Sequence, residues 1–214
     1  MLIGEKQTLV MIGDSITDTG RTRPIAEGYG QMGTGYVSMV DAFIGGRYPD
    51  RLIRVINVGS SGNTVRDLKN RWQSDVLDLK PHWLSVMIGT NDVWRQFDAY
   101  KFPERAVQPD EYLSTYDELL TKTRPTLKGL VLLTPFYIEP NKSEPMRARM
   151  DEYGQMVKKL AAKHDGIFVD TQAAYDNAIK GLYPGVFAGD RVHPNPAGHA
   201  ILAMAFMKAI GFSL

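Results

Sequence analysis

Apolar and β-branched residues gather in five short runs: TLVMI at 8–12, IRVINV at 53–58, WLSVMI at 83–88, GLVLLTPF at 129–136 and GIFVD at 166–170. Runs of this length without strict alternation are the pattern of strands buried on both faces. Between them, 35–45, 64–79, 109–124 and 144–164 mix apolar and charged residues at helical spacing, and 196–210 reads as a last apolar helix. Along that helix the stripe Ile201, Met204, Ala205 and Lys208 is expected to face the core. The β-α alternation predicts an α/β fold with three α/β/α layers around a five-stranded parallel sheet. Neither an internal repeat nor a low-complexity linker divides the chain, so residues 1–214 are expected to form a single domain.

Local signals mark two helix starts. Thr64 with Asp67 three residues on has the form of a capping box, and Asn195 before Pro196 suits an N-cap and first helical position. The least regular stretches, 17–34, 92–108 and 181–195, are polar, glycine-rich or aromatic and are read as loops that carry function.

Composition narrows the classes of function. The 214 residues can bury a continuous core without disulfides or metal. Twenty-five basic against twenty-four acidic residues give a net charge of +1 with no long single-sign run, which gives no basis for a nucleic-acid partner. No apolar run approaches a membrane span, and Met1–Val10 lacks the organisation of a signal peptide; a cytoplasmic protein with no membrane partner is the expectation. The absence of cysteine excludes thiolate catalysis and cysteine-held zinc. No HExxH or comparable ligand spacing occurs, so neither a catalytic metal nor any other cofactor is expected.

In an open parallel sheet, ligands bind beyond the carboxyl ends of the strands. The loops there begin Gly13-Asp14-Ser15, Gly59-Ser60-Ser61-Gly62-Asn63 and Gly89-Thr90-Asn91-Asp92. Ester hydrolysis needs a nucleophile, a base, a group to orient the base, and donors for an oxyanion. Ser15 supplies a hydroxyl and a backbone N–H, Gly62 an unobstructed N–H, and Asn91 a side-chain amide. Asp14 and Asp92 adjoin these groups, but as turn residues they are expected to hold backbone N–H groups instead.

Of four histidines, His82 and His164 precede strands and belong to the opposite edge. His199 lies within the last helix, where a packed or solvated role is expected. His193 remains, in GDRVHPNPAG, with Asp190 three residues earlier to orient it. Spacing alone leaves open whether this loop reaches Ser15, because 172–181 may be a helix that runs away from the catalytic edge.

Four short blocks then occur in order along the chain: GDSI at 13–16, Gly62 within NVGSSGNT, GTND at 89–92 and DRVH at 190–193. Together they resemble the SGNH (GDSL-type) hydrolase superfamily, although Ile16 stands where the family name has leucine. The resemblance implies a flavodoxin-like SGNH hydrolase fold, Ser15 as nucleophile, His193 as base and Asp190 as its orienting acid. It also implies an oxyanion hole of the Ser15 N–H, the Gly62 N–H and the Asn91 side chain. The longer stretches GNTVRDLKNRW, NDVWRQ, TPFYIEPN, FVDTQAA and DRVHPNPAGHAI are similar to small bacterial SGNH esterases that include intracellular acetylxylan esterases. That similarity implies acetylated xylo-oligosaccharides as substrate, a cytoplasmic location and a possible homo-oligomer.

Two alternatives stay open at this level: a general short-chain acyl esterase or thioesterase without sugar preference, and a noncatalytic carbohydrate-binding protein on the same fold. Trp94, Arg95, Phe97 and Tyr100 could form a sugar-stacking wall, with Trp94 the leading candidate, or simply cover the sheet edge. GYGQMG at 28–33 matches the dinucleotide fingerprint GxGxxG, but no apolar strand run precedes it, so it is read as a loop.

Overall fold

Each of the five apolar runs forms a strand, and the segments between them carry the chain from one strand to the next. The computed structural model describes residues 1–28 and 30–213. In it β1 spans Thr8–Gly13, β3 Arg54–Asn57, β4 Trp83–Met87, β5 Gly129–Leu133 and β6 Ile167–Val169. A further strand, β2 (Ala26–Glu27), pairs antiparallel with β3, so the sheet has six strands in the order β2-β3-β1-β4-β5-β6 and is parallel except at that edge. This corrects the expected count of five. Two residues cannot produce a hydrophobic run, and the pairing is supported instead by a bidentate Arg54–Glu27 ion pair of 2.5 and 2.7 Å.

β2 directly precedes the glycine-rich segment at 28–33, so a strand does lead into it. The described residues 30–35 hold turns and bends, and the next helix among the described residues starts only at Tyr36, so the motif does not open a helix. Tyr29, inside that motif, lies outside the described residues.

The helices α2 (Tyr36–Arg47), α3 (Val65–Trp72, continued by a π-helical turn over Gln73–Leu77), α5 (Pro109–Thr123), α6 (Pro145–Lys163) and α8 (Pro196–Ala209) follow the predicted segments. Both predicted caps form. The Thr64 N–H and hydroxyl each donate to Asp67 at 2.8 Å, and Asn195 accepts from the Gly198 N–H at 3.0 Å with Pro196 opening the helix. Each such cap contributes about 1 kcal/mol. Three further α-helices lie among the described residues: α1 (Ser15–Asp18), α4 (Thr90–Asp98) and α7 (Thr171–Ala178). α4 occupies the start of a stretch read as loop. Its opening Gly-Thr-Asn-Asp is turn-like, and only the left-handed Gly89, at φ 127°, lets strand β4 pass into the helix at once.

Alternate residues of each strand enter two cores. Val10, Ile12, Ile56, Leu84 and Val86 meet Leu68, Trp72, Tyr116 and Tyr153 of α3, α5 and α6. Leu9, Met11, Val55, Met87 and Val131 meet Tyr36, Val40, Tyr175 and Phe206 of α2, α7 and α8. Each fully buried Val, Leu or Ile contributes about 1.5–3 kcal/mol, so the sheet is the rigid part from which the loops take their positions. On α8 the expected core stripe is corrected in part: Ile201 and Ala205 are half-buried against the core, but the buried face is Leu202, Ala203, Phe206 and Met207, whereas Met204 is 58% exposed and Lys208 faces solvent. The helix is apolar nearly all round, so spacing alone could not choose the face that packs on α2 and α7.

From β1 the chain passes through α2 to β3 on one side, and from β3 through α3 to β4 on the other. The carboxyl ends of β1 and β4 therefore border the crevice where the connections part.

Candidate active site

The first strand ends where there is no room for a side chain. A Cβ on Gly13 would stand 2.4 Å from both the Met87 carbonyl oxygen and Thr17 Oγ1, so glycine is what lets β1 close against β4 and turn. Asp14 then caps α1, accepting from the Ile16 N–H at 2.9 Å. Burial pushes its carboxyl up to about 6, against the lowering pull of the Ile16 N–H and of His193. The expected turn-holding role of Asp14 is what the geometry shows. Ser15 follows, half-buried, at the first helical position, where a backbone N–H has no acceptor within the helix.

The last loop does reach this serine. His193 Nε2 lies 2.9 Å from Ser15 Oγ, and His193 Nδ1 lies 2.6 Å from Asp190 Oδ2. With Nδ1–H donating to the carboxylate, Nε2 is left as the acceptor for the Ser15 hydroxyl. Asp190 Oδ1 also accepts from the backbone N–H groups of Val192 at 2.9 Å and His193 at 2.7 Å. Partial burial alone would raise the Asp190 carboxyl, but the hydrogen bonds from the His193 backbone and ring and from Val192 outweigh it and hold it below the ordinary carboxylate range. Side chains 45% and 47% exposed place this pair at the mouth of the site.

The irregular segment that follows β5 supports the loop. Arg191 holds a left-handed φ of 64°, and its carbonyl accepts from the Ile138 N–H at 2.9 Å. Its guanidinium pairs with the buried carboxylate of Glu139, which also accepts from the Asn141 N–H at 2.8 Å. Nothing in the spacing singled out Glu139, whose segment TPFYIEPN reads from sequence as the end of a strand.

Gly62 and Asn91 lie in the segments that follow β3 and β4, the strands that flank β1. Gly62, at φ 80°, adopts a backbone that an L side chain strains against, and among the described residues its N–H has no acceptor. The loop around it is closely held. Asp18 accepts from the Ser61 N–H at 3.0 Å and hydroxyl at 2.9 Å, Asn57 accepts from the Gly59 N–H at 2.9 Å, and the Ser60 N–H donates to the Gly13 carbonyl at 3.0 Å. Asn91 sits in the first turn of α4. Its Nδ2 donates to the Asn63 carbonyl at 3.0 Å, and its Oδ1 accepts from Arg95 at 3.3 Å. This fixes the amide's orientation and leaves one N–H for a substrate oxygen. Asp92, fully buried, accepts from the Val65 N–H at 2.9 Å, and burial pushes its carboxyl up to about 7.

Trp94 lies beside His193, their ring centroids 5.9 Å apart, and Arg95 rests 5.0 Å over the Trp94 ring. Phe97 and Tyr100 are exposed. His82 and His164 stand at the opposite edge, as expected, His82 accepting from the Thr8 N–H at 3.1 Å and His164 meeting Asp117 at 2.7 Å. His199 is buried and its Nδ1 accepts from the Tyr36 N–H at 3.2 Å; burial, with repulsion from His193, pulls its imidazole down to about 4. A cavity of about 310 Å³ opens next to Ser15, walled by Ile16, Thr19, Pro194, Pro196 and His199. Among the described residues no cluster of His, Asp and Glu is arranged to hold a metal ion, and no helix is long and apolar enough to cross a membrane.

Comparison with known proteins places this geometry among relatives. Residues 11–201 match the model of the GDSL-like lipase/acylhydrolase family. The chain is 54% identical over 213 residues to the acetylxylan esterase of Geobacillus stearothermophilus, covering 99% of this chain and 97% of that protein. The crystal structure of that organism's acetylxylan esterase Axe2 superposes with a TM-score of 0.98 at 54% identity, covering 100% of this chain and 98% of the other. LAE5, an α/β hydrolase enzyme from the metagenome of Lake Arreo, superposes with a TM-score of 0.96 at 48% identity over 99% of this chain and 98% of its own.

Proposed function

We propose a mechanism and a substrate from one premise: the chain belongs to the GDSL-like lipase/acylhydrolase family and is a carboxylic-ester hydrolase. His193 takes the proton of the Ser15 hydroxyl as Oγ attacks the ester carbonyl carbon, and Asp190 holds the imidazole in the required tautomer and stabilises the imidazolium. The Ser15 and Gly62 N–H groups and the free N–H of Asn91 receive the oxyanion of the tetrahedral intermediate. When that intermediate collapses, the C–O bond to the alcohol breaks and His193 protonates the departing oxygen. Water, deprotonated by His193, then attacks the acyl-enzyme; its collapse returns the proton to Ser15 Oγ and releases the carboxylic acid. No cofactor enters any step.

The substrate in this reading is a short acyl ester on a carbohydrate, above all the acetyl group of acetylated xylo-oligosaccharides. Near-full-length identity to an acetylxylan esterase supports it, as does the small cavity beside Ser15. Trp94 supplies an aromatic face for the sugar next to His193. The same reading carries a cytoplasmic location and self-association; exposed Phe43 and Met204 support the latter, and light scattering on the purified chain tests it.

The observation that carries the mechanism is the unbroken Ser15–His193–Asp190 hydrogen-bond chain, at 2.9 and 2.6 Å. Acetate release from defined acetylated xylo-oligosaccharides is the deciding measurement, run beside butyryl and octanoyl esters. Ser15→Ala is expected to lose turnover by a factor approaching about 10⁶. Wild-type turnover in that variant would remove the nucleophile, and preference for the longer esters would remove the substrate class.

A further inference from the structure

Three oxyanion donors on three different strand ends must be aimed at one oxygen, and a single guanidinium contacts the supports of all three. Arg71, on α3 with a side chain 17% exposed, donates from Nη2 to the Gly13 carbonyl at 3.0 Å, from Nη1 to the Val58 carbonyl at 2.6 Å, and from Nε to Asn63 Oδ1 at 2.6 Å. Gly13 lies two residues before Ser15. Asn63 follows Gly62, and the Asn63 carbonyl is the acceptor that orients Asn91 Nδ2. One helical turn on, Asp75 takes a further bond from Nη1 at 2.6 Å and fixes the direction of the guanidinium. A planar guanidinium presents its donors in a rigid fork, so it sets distances between its acceptors; a lysine ammonium on a flexible stem does not.

We propose that Arg71 is a positioning residue for oxyanion stabilisation. It sets the spacing between the Ser15 and Gly62 N–H groups and, through Asn63, the aim of the Asn91 amide. It touches neither substrate nor His193 nor Asp190, and the assignment rests on the mechanism proposed above. Placement errors near 1 Å at a reacting centre cost about 10²-fold in rate. Loosening this fork therefore weakens transition-state binding, which appears in kcat, and leaves ground-state binding and the titration of the base alone. A merely structural arginine would lower the folded fraction without changing turnover per folded molecule.

The test uses the full chain with p-nitrophenyl acetate, Ser15→Ala as baseline, and circular dichroism to normalise to folded protein. Arg71→Lys and Arg71→Met are expected to lower kcat by about 10–10²-fold, with KM within about threefold and the acid limb of the pH profile unmoved. On an Asn91→Ala background the Arg71→Met loss is expected to be at least about threefold smaller, because one of the donors it aims is gone. A kcat within about twofold of wild type for both variants, or an equal loss on the Asn91→Ala background, overturns the proposal. Should the arginine variants not fold, Asn63→Ala removes only the acceptor of Nε and carries the test: a several-fold fall in kcat at unchanged KM supports the proposal, and unchanged kcat overturns it. Full turnover in Ser15→Ala would instead strike at the mechanism itself, so the two failures are distinguishable.

Discussion

Ser15 Oγ and His193 Nε2 stand 2.9 Å apart although 178 positions separate them in the chain. The contact exists because β1 is central in the sheet and α8 runs back from its carboxyl edge, which leaves the loop before α8 hanging over the first strand's end. In the proposed mechanism the proton relay depends on which ring nitrogen carries hydrogen, and the Asp190 carboxylate, which can only accept from Nδ1–H, is the group assigned to set it. Asp190→Asn keeps the shape but can donate to Nδ1, which inverts the tautomer and turns Nε2–H toward the serine. Turnover of p-nitrophenyl acetate is expected to fall about 10⁴-fold, the scale known for this change in serine proteases, with KM little altered. A loss under tenfold would mean that Asp190 is not what orients His193.

Asn91→Ala removes one donor and leaves the fold, since α4 keeps its start at Gly89 and Asp92 still accepts from the Val65 N–H. One oxyanion donor is worth about 3–4 kcal/mol in the transition state, so kcat is expected to fall about 10²–10³-fold. Steady-state kinetics with an unchanged kcat would take Asn91 out of the hole.

The Glu139–Arg191 pair ties the loop that carries Asp190 and His193 to the segment after β5. Glu139→Gln keeps an acceptor for the Asn141 N–H but loses the charge opposite Arg191. Because Arg191 is over a third exposed, solvent screens the pair, and the expected cost is about 1–2 kcal/mol. That corresponds to roughly 2–8 °C in Tm for a chain of this size. Thermal unfolding checks it, and an unaltered Tm would show the loop to be held without the pair.

How much of this could be read from the chain alone depended on local periodicity. The five strands were legible because TLVMI or GLVLL admits no other reading between helical segments, and two helix starts because Thr64, Asp67 and Asn195 carry caps in their own side chains. β2 and α4 were not, since two residues make no pattern and Gly-Thr-Asn-Asp looks like a turn. The site residues Ser15, Gly62, Asn91, Asp190 and His193 lie where strand ends or loops announce polar chemistry. Arg71 and Glu139 do not: on a helix or past a strand they look like solvated charges, and only the folded chain shows which groups they meet. The same limit applied to α8, where an all-round apolar helix gave no preferred face.

His199 gives a pH test of packing that is separate from catalysis. Its buried imidazole is pulled from the ordinary 6.5 down to about 4 by loss of solvation, while its Nδ1 accepts from the Tyr36 N–H. In the unfolded chain this histidine takes a proton as pH falls through 6.5; in the folded chain it stays neutral until about 4. The native state is therefore favoured above 6.5 and loses that advantage as the medium is acidified, by about 2 kcal/mol at pH 5. Asp14 and Asp92 act in the opposite direction, because their raised values, about 6 and about 7, let the folded chain take up protons before the unfolded one. Comparison with a variant that retains both cancels them. His199→Asn preserves an acceptor for the Tyr36 N–H and has no titrating group, so it is expected to be less stable than wild type at pH 7.5 through lost packing. By pH 5 that gap should narrow by about 2 kcal/mol. Urea unfolding of both proteins at the two pH values measures it, and a gap that stays constant would mean that this imidazole is solvated in the folded chain.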